Sequence, residues 1–176
     1  MRVNKLVALG VGVVLVAACF AVDGVSLEAL VNAAGCVVLV AVTCTDLERR
    51  IIPNRIVVPA LAVALMVQTA RDPWFEWFLA ALGAGGFFLV AALIYPAGLG
   101  MGDVKLAAFL GAWLGRIVFV ALFTGSIIAL LPAMMILARA GTAGRKVGIP
   151  FAPFLAAGGV VAVFGGDALL DWWLGT

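Results

Sequence analysis

Apolar residues in this chain come in unbroken runs rather than in stripes. Lys5–Val22, Leu27–Thr45, Arg55–Ala70, Trp74–Pro96, Val104–Leu114, Ile117–Leu137 and Ile149–Phe164 are predominantly apolar, and short polar connections separate them. A spanning helix needs about 20 such residues, with a range of roughly 17–25. The pattern predicts an all-α fold, a polytopic transmembrane bundle of six to seven helices forming one integral-membrane domain over residues 1–176. Short connections are what antiparallel membrane helices use, and no linker, repeat or low-complexity segment interrupts them.

One run is too short. As a helix, Val104–Leu114 reaches only ~17 Å, against a hydrocarbon core of ~30 Å. Lys105 and the loop carrying Arg139, Arg145 and Lys146 nevertheless belong on the same side, so an even number of crossings separates them. The expectation is a tight helical hairpin turning near Gly115-Arg116, with a short first arm that places Asp103 below the headgroups or thins the bilayer locally. The alternative is one long tilted crossing, which would put the final loop outside against its charge.

Composition agrees. The chain is 66% hydrophobic and 11% charged, with a mean hydropathy of +1.26, whereas soluble domains are nearer half apolar and a quarter charged. A net charge of +2, scattered along the chain, gives no basic surface for nucleic acid. Absence of histidine removes Ser/His and Cys/His catalysis and most zinc sites. Cys19, Cys36 and Cys44 lie inside apolar runs without a C-x-x-C pair and read as small hydrophobes, so neither a metal nor a cofactor is expected. The first run has a rival reading, because Arg2, Lys5 and Val16-Ala17-Ala18-Cys19 resemble a lipoprotein signal peptide. The apolar run continues past Cys19 to Val22, which favours a retained helix.

Charge sets orientation. With the start of the chain inside, Arg2, Lys5, Arg49, Arg50, Arg55, Lys105, Arg139, Arg145 and Lys146 face the cytoplasm, and only Arg71 and Arg116 face out. Trp74, Trp77, Trp113, Trp172 and Trp173 then fall near the outer boundary, as interfacial anchors.

Two aspartates stand out at the cytoplasmic ends of these runs. Asp103 closes the glycine-rich stretch Gly98-Leu99-Gly100-Met101-Gly102, and Asp46 follows Thr45. A carboxylate beside apolar sequence is costly unless something uses it. Two held together cannot both be ionised cheaply, so such a pair shares a proton and can activate a water while protonating a leaving group. The plainer alternative is that each caps or flanks a helix end. Helix dipoles, together with Lys105 two residues on, point to Asp103 as the base and Asp46 as the acid.

Three stretches bear on that choice. Asp46 is followed by Leu47-Glu48-Arg49-Arg50-Ile51-Ile52-Pro53-Asn54, Asp103 lies in Gly-x-Gly-Asp-x-Lys, and Ile149-Pro150-Phe151-Ala152-Pro153-Phe154-Leu155 comes later. Together, and in that order, they resemble the type IV prepilin peptidases, aspartic membrane proteases that remove a short basic leader from pilin-like precursors. The likeness runs from about Leu39 to Phe164. It implies a catalytic pair Asp46 and Asp103 in a Gly-x-Gly-Asp catalytic loop. Support would come from Gly100, Gly102, Lys105, Pro53, Asn54, Pro150, Phe151 and Pro153. It also implies a prepilin as partner in the lipid bilayer and a bacterial inner-membrane location with the site facing the cytoplasm. Larger, bifunctional members add an N-terminal cytoplasmic region with paired cysteines and methylate the new N-terminus. This chain has Met1–Asn4 ahead of its first run and no cysteine pair, so it looks like the short form of tight-adherence (Flp) pilus systems, without methylation. Two rival readings are a presenilin-like protease, whose first motif carries Tyr-Asp where Thr45-Asp46 stands here, and a small transporter or scaffold with carboxylates for proton coupling.

Overall fold

A computed structural model describes residues 4–73, 75–96, 98–140 and 150–175; Arg2, Trp74, Arg145, Lys146 and Ile149 lie outside the described residues. The described chain is helical throughout: α1 (Lys5–Asp23), α2 (Leu27–Arg49), α3 (Asn54–Arg71), α4 (Glu76–Ile94), α5 (Met101–Leu114), α6 (Val118–Ala140) and α7 (Ala152–Leu174), with a 3-10 turn at Gly115–Ile117 before α6. Five stretches are long and apolar enough to cross a bilayer: Lys5–Asp23, Leu27–Arg49, Glu76–Ile94, Met101–Ile136 and Ala152–Trp173. α3 is outside that set, since Asn54, Arg55, Gln68 and Arg71 dilute it, yet it runs the length of the bundle beside α5.

Met101–Ile136 would pass for a single crossing, but it folds back on itself. Gly115 has φ +57, a left-handed conformation that favours glycine, and it stops α5 there. The direction of α6 follows from its glycine contacts with α7. A side chain at Gly158 would strike the carbonyl of Ala121, one at Gly125 would meet that of Phe154 at 2.8 Å, and one at Gly166 would meet Ile117. α6 and α7 are therefore antiparallel. α5 and α7 both start at the aspartates and run the same way, since Gly159 of α7 lies against Leu110 of α5. The hairpin expected at Gly115-Arg116 is thus present. α5 spans ~21 Å and α6 ~34 Å, so α6 runs on past the level of Asp103, carrying exposed Leu130, Leu131, Met134 and Met135.

Helices alternate between two ends. At one end, α1 meets α2 through Asn32 Nδ2, which donates to Asp23 Oδ2 at 2.9 Å, and Arg116 pairs with Asp167 at 3.3 Å. α5 forms the centre: Val104, Leu106, Ala107, Phe109, Leu110, Ala112, Trp113 and Leu114 are all buried. Small residues admit it. Gly111 lies against the carbonyl of Ala80, and Gly85 against Ala108. Gly83 and Gly86 of α4 face open space, so of that glycine cluster only Gly85 serves close packing.

Several boundaries differ from those the apolar runs suggest. α2 carries on through Asp46 to Arg49, and Arg50 in the left-handed region (φ 54) ends it. α7 passes Gly165 and Gly166 and reaches Leu174. Trp113 is not an interfacial anchor but 2% exposed, seated where Gly35 lacks a side chain and stacked on Phe109 with 5.7 Å between centroids. Its indole N–H donates to Asn32 at 3.3 Å. Trp172 and Trp173 are exposed as anchors would be.

Candidate active site

Asp46 and Asp103 are buried, at 6% and 9% exposure, and lie within electrostatic reach of each other. Neither sits in a loop. Asp103 is the third residue of α5, because the non-helical part of the glycine-rich stretch ends at Gly100 and Met101 already begins the helix. Its carboxylate reaches back, and Gly100 N–H donates to Oδ2 at 3.0 Å, which satisfies one of the helix's orphan donors. Asp46 lies in the last turn of α2, where its carbonyl accepts from Arg50 N–H at 2.8 Å.

The carboxylate of Asp46 meets a second helix start. Ala152 N–H donates to Asp46 Oδ2 at 3.2 Å. Ala152 is the first residue of α7 and completely buried, and Pro153, next in line, has no N–H to compete. Phe151 precedes the helix, and its carbonyl takes the N–H groups of Phe154 and Leu155 at 3.0 and 3.2 Å. Its ring packs 6.0 Å from that of Phe88. Pro150, Phe151 and Pro153 therefore shape a helix N-terminus whose first free donor belongs to Asp46. This alters the dipole argument made from sequence: the side chain of Asp46 faces the positive end of α7, much as Asp103 faces that of α5. At Asp46 the positive end of α7 therefore opposes the negative end of α2.

Pro53 and Asn54 stand at the start of α3, with the Pro53 carbonyl accepting from Ile56 and Val57 at 3.0 and 3.2 Å. Gly102 gives room here: a side chain there would meet Ile52 Cβ at 2.7 Å. Gly98, Gly100 and Gly102 have none of the positive φ values found at Gly24, Gly115 and Gly175, so close approach at Gly102 is the use the fold makes of the motif. The Nζ of Lys105 donates to Asn54 Oδ1 at 2.8 Å. The sequence argument that Lys105 tunes Asp103 directly has no contact to carry it.

The structure thus brings Asp46, Asp103, Gly100, Gly102, Lys105, Pro53, Asn54, Pro150, Phe151 and Pro153 to one end of the bundle. Sequence reasoning missed the donor from Ala152, since a backbone N–H carries no residue signature. Among the described residues no cluster of ligands suits a metal ion.

A family model described as the type IV leader peptidase family matches residues 33–134; the Pro150–Pro153 stretch lies beyond that match. The prepilin leader peptidase/N-methyltransferase of Bacillus subtilis (strain 168) is 35% identical over 156 residues, 86% of this chain and 62% of that protein. Its namesake from Legionella pneumophila is 29% identical over 151 residues, 78% of this chain and 50% of that protein. The one from Aeromonas salmonicida (strain A449) is 34% identical over 149 residues, with 79% and 50% covered. The chain spans between half and 62% of the length of these curated relatives. No solved structure matches it.

Proposed function

Because the chain belongs to the type IV leader peptidase family, we propose that it is an aspartic endopeptidase that removes the short basic leader from pilin-like precursors, those of Flp pili in particular. Asp46 and Asp103 form the dyad. A water held between them attacks the scissile carbonyl carbon and gives its proton to the ionised carboxylate. The protonated carboxyl shares its hydrogen with the carbonyl oxygen. Collapse then breaks the C–N bond as a carboxyl delivers a proton to the leaving amide nitrogen. The observation carrying this reading is the pairing itself: two buried carboxylates from separate helices, each tethered at one oxygen by a backbone N–H.

Charge supports a cytoplasmic site at a bacterial inner membrane. The end holding the aspartates also holds Lys5, Arg49, Arg50, Arg55, Lys105 and Arg139, while Arg71 and Arg116 lie at the other. Since α6 continues past them with an apolar, exposed surface, the aspartates sit within the bilayer's edge, where a precursor's leader joins its apolar helix. Their position in terminal helix turns, rather than mid-helix, argues against a proton-coupled transporter.

The test is co-expression with a precursor carrying a short basic leader and a glycine before an apolar helix. Asp46→Asn and Asp103→Asn should each abolish the mobility shift that marks leader removal while the protein still accumulates in the membrane. Asp72→Asn, exposed at the opposite end, should process normally. Full processing by either dyad variant would overturn the assignment.

A further inference from the structure

The backbones of α2 and α5, which carry the two aspartates, scarcely meet near the site, so something else must set the distance between the carboxylates. One connection is covalent. From Asp46 the chain closes the Arg50 N–H···O=C bond at 2.8 Å, reverses at left-handed Arg50, and enters α3 at Asn54. This elbow then touches the first turns of α5 twice. Ile52 fills the space left by Gly102, and Asn54 Oδ1 accepts from Lys105 Nζ at 2.8 Å. Positions 102 and 105, three apart on a helix, share a face, and Asp103 lies between them in sequence, directed to its own cap. Asn54 is free for this role because its side chain makes no cap on α3, whose start is served by Pro53.

We propose that Lys105 and Asn54 are positioning residues: their hydrogen bond clips the elbow that follows Asp46 to the helix that carries Asp103 and so sets the spacing of the dyad. The bond lies at the exposed rim of the site and joins the elbow to the first turns of α5 beside the packing of Ile52 on Gly102. The proposal rests on the dyad reading for its consequence in catalysis, but the clip itself is a statement about geometry.

Two measurements test it. In the first, kcat and KM for the precursor described above are compared for wild type, Lys105→Met, Asn54→Leu and the double variant. Displacement of reacting groups by about 1 Å can cost ~100-fold. Each single variant should therefore lose about 10- to 100-fold in kcat with KM little changed, and the double variant should be no worse than either single one. Asn54→Asp keeps the acceptor and should retain activity. Losses that multiply in the double variant, or that appear in KM alone, would overturn the clip. In the second, cysteines replace Asp46 and Asp103 in a chain with Cys19, Cys36 and Cys44 changed to alanine, and a short bis-maleimide bridges them. The bridging yield should fall several-fold on adding Lys105→Met and be preserved on adding Asn54→Asp; an unchanged yield with Lys105→Met would overturn the proposal. This readout needs no substrate, so loss of the peptidase reading and loss of the clip are told apart: active Asp→Asn variants remove the first, and an unmoved cross-link removes the second.

Discussion

Single residues divide by whether their partner is announced in the chain. Asp46 and Asp103 were legible as a pair, because carboxylates are rare beside apolar runs and the motifs around them are ordered. Their tethers were not, since Gly100 and Ala152 act through backbone N–H groups. The hydrogen-bond partner of Lys105 was not legible, because the group it reaches, Asn54, is distant in the chain. Gln68 shows the same limit at the opposite end. It is 4% exposed within α3, and its Nε2 donates at 2.7 Å to the carbonyl of Trp113, near the end of α5 where helical partners run out. Its Oε1 accepts from Arg71 at 3.0 Å. Gln68→Leu removes both bonds and leaves a buried carbonyl unpaired, which should cost about 1–3 kcal/mol. Thermal unfolding in detergent should show a lowered midpoint, with leader removal at low temperature intact. An unchanged midpoint would mean that the Trp113 carbonyl finds another donor.

Elements were legible by length and apolar content, and among the described residues each apolar run has its helix in the order the runs suggested, though five stretches rather than six or seven are long and apolar enough to span. Ends were harder, because helices end on conformation rather than on polarity. Arg50 stops α2 well after the apolar run does, and α7 ignores two consecutive glycines that look like a stop. Which glycines admit a neighbouring helix was not legible either, as position on the helix circumference decides it. In α4, Gly85 and Gly86 are chemically equivalent, yet a side chain at Gly85 would meet Ala108 Cβ at 2.9 Å and one at Gly86 would meet nothing within 4 Å. Gly85→Val should therefore wedge α4 from α5 at the usual overpacking cost of about 1–3 kcal/mol, and because α5 carries Asp103 it should also lower activity. Gly86→Val should leave both unfolding midpoint and leader removal near wild type. Equal effects from the two would show that α4 and α5 do not pack in the register described.

At the scale of the whole molecule, orientation is the property on which substrate access depends, and it follows from alternation. Among the described residues, α1, α3, α5 and α7 run one way and α2, α4 and α6 the other. The fold at Gly115 is what makes this count odd. Were Met101–Ile136 one crossing, α7 would run the other way, and Ala152 could not reach Asp46, as it does at 3.2 Å. Basic residues then collect at the dyad end, and Asp23, Glu28, Asp72, Glu76, Asp167 and Asp171 collect at the other. Single cysteines in a chain lacking the native three report the outcome in intact cells. At Asp72 or Gly175, both exposed at the end opposite the aspartates, a membrane-impermeant thiol reagent should label without permeabilisation. At Arg49 or Arg139, both exposed at the dyad end, labelling should require permeabilised membranes. Reversed labelling at all four would invert the protein and put the dyad on the wrong side for a cytoplasmic leader. Labelling of Gly175 and Arg139 from opposite sides to those stated, with Asp72 and Arg49 as expected, would instead undo the hairpin at Gly115, and with it the contact between α7 and Asp46.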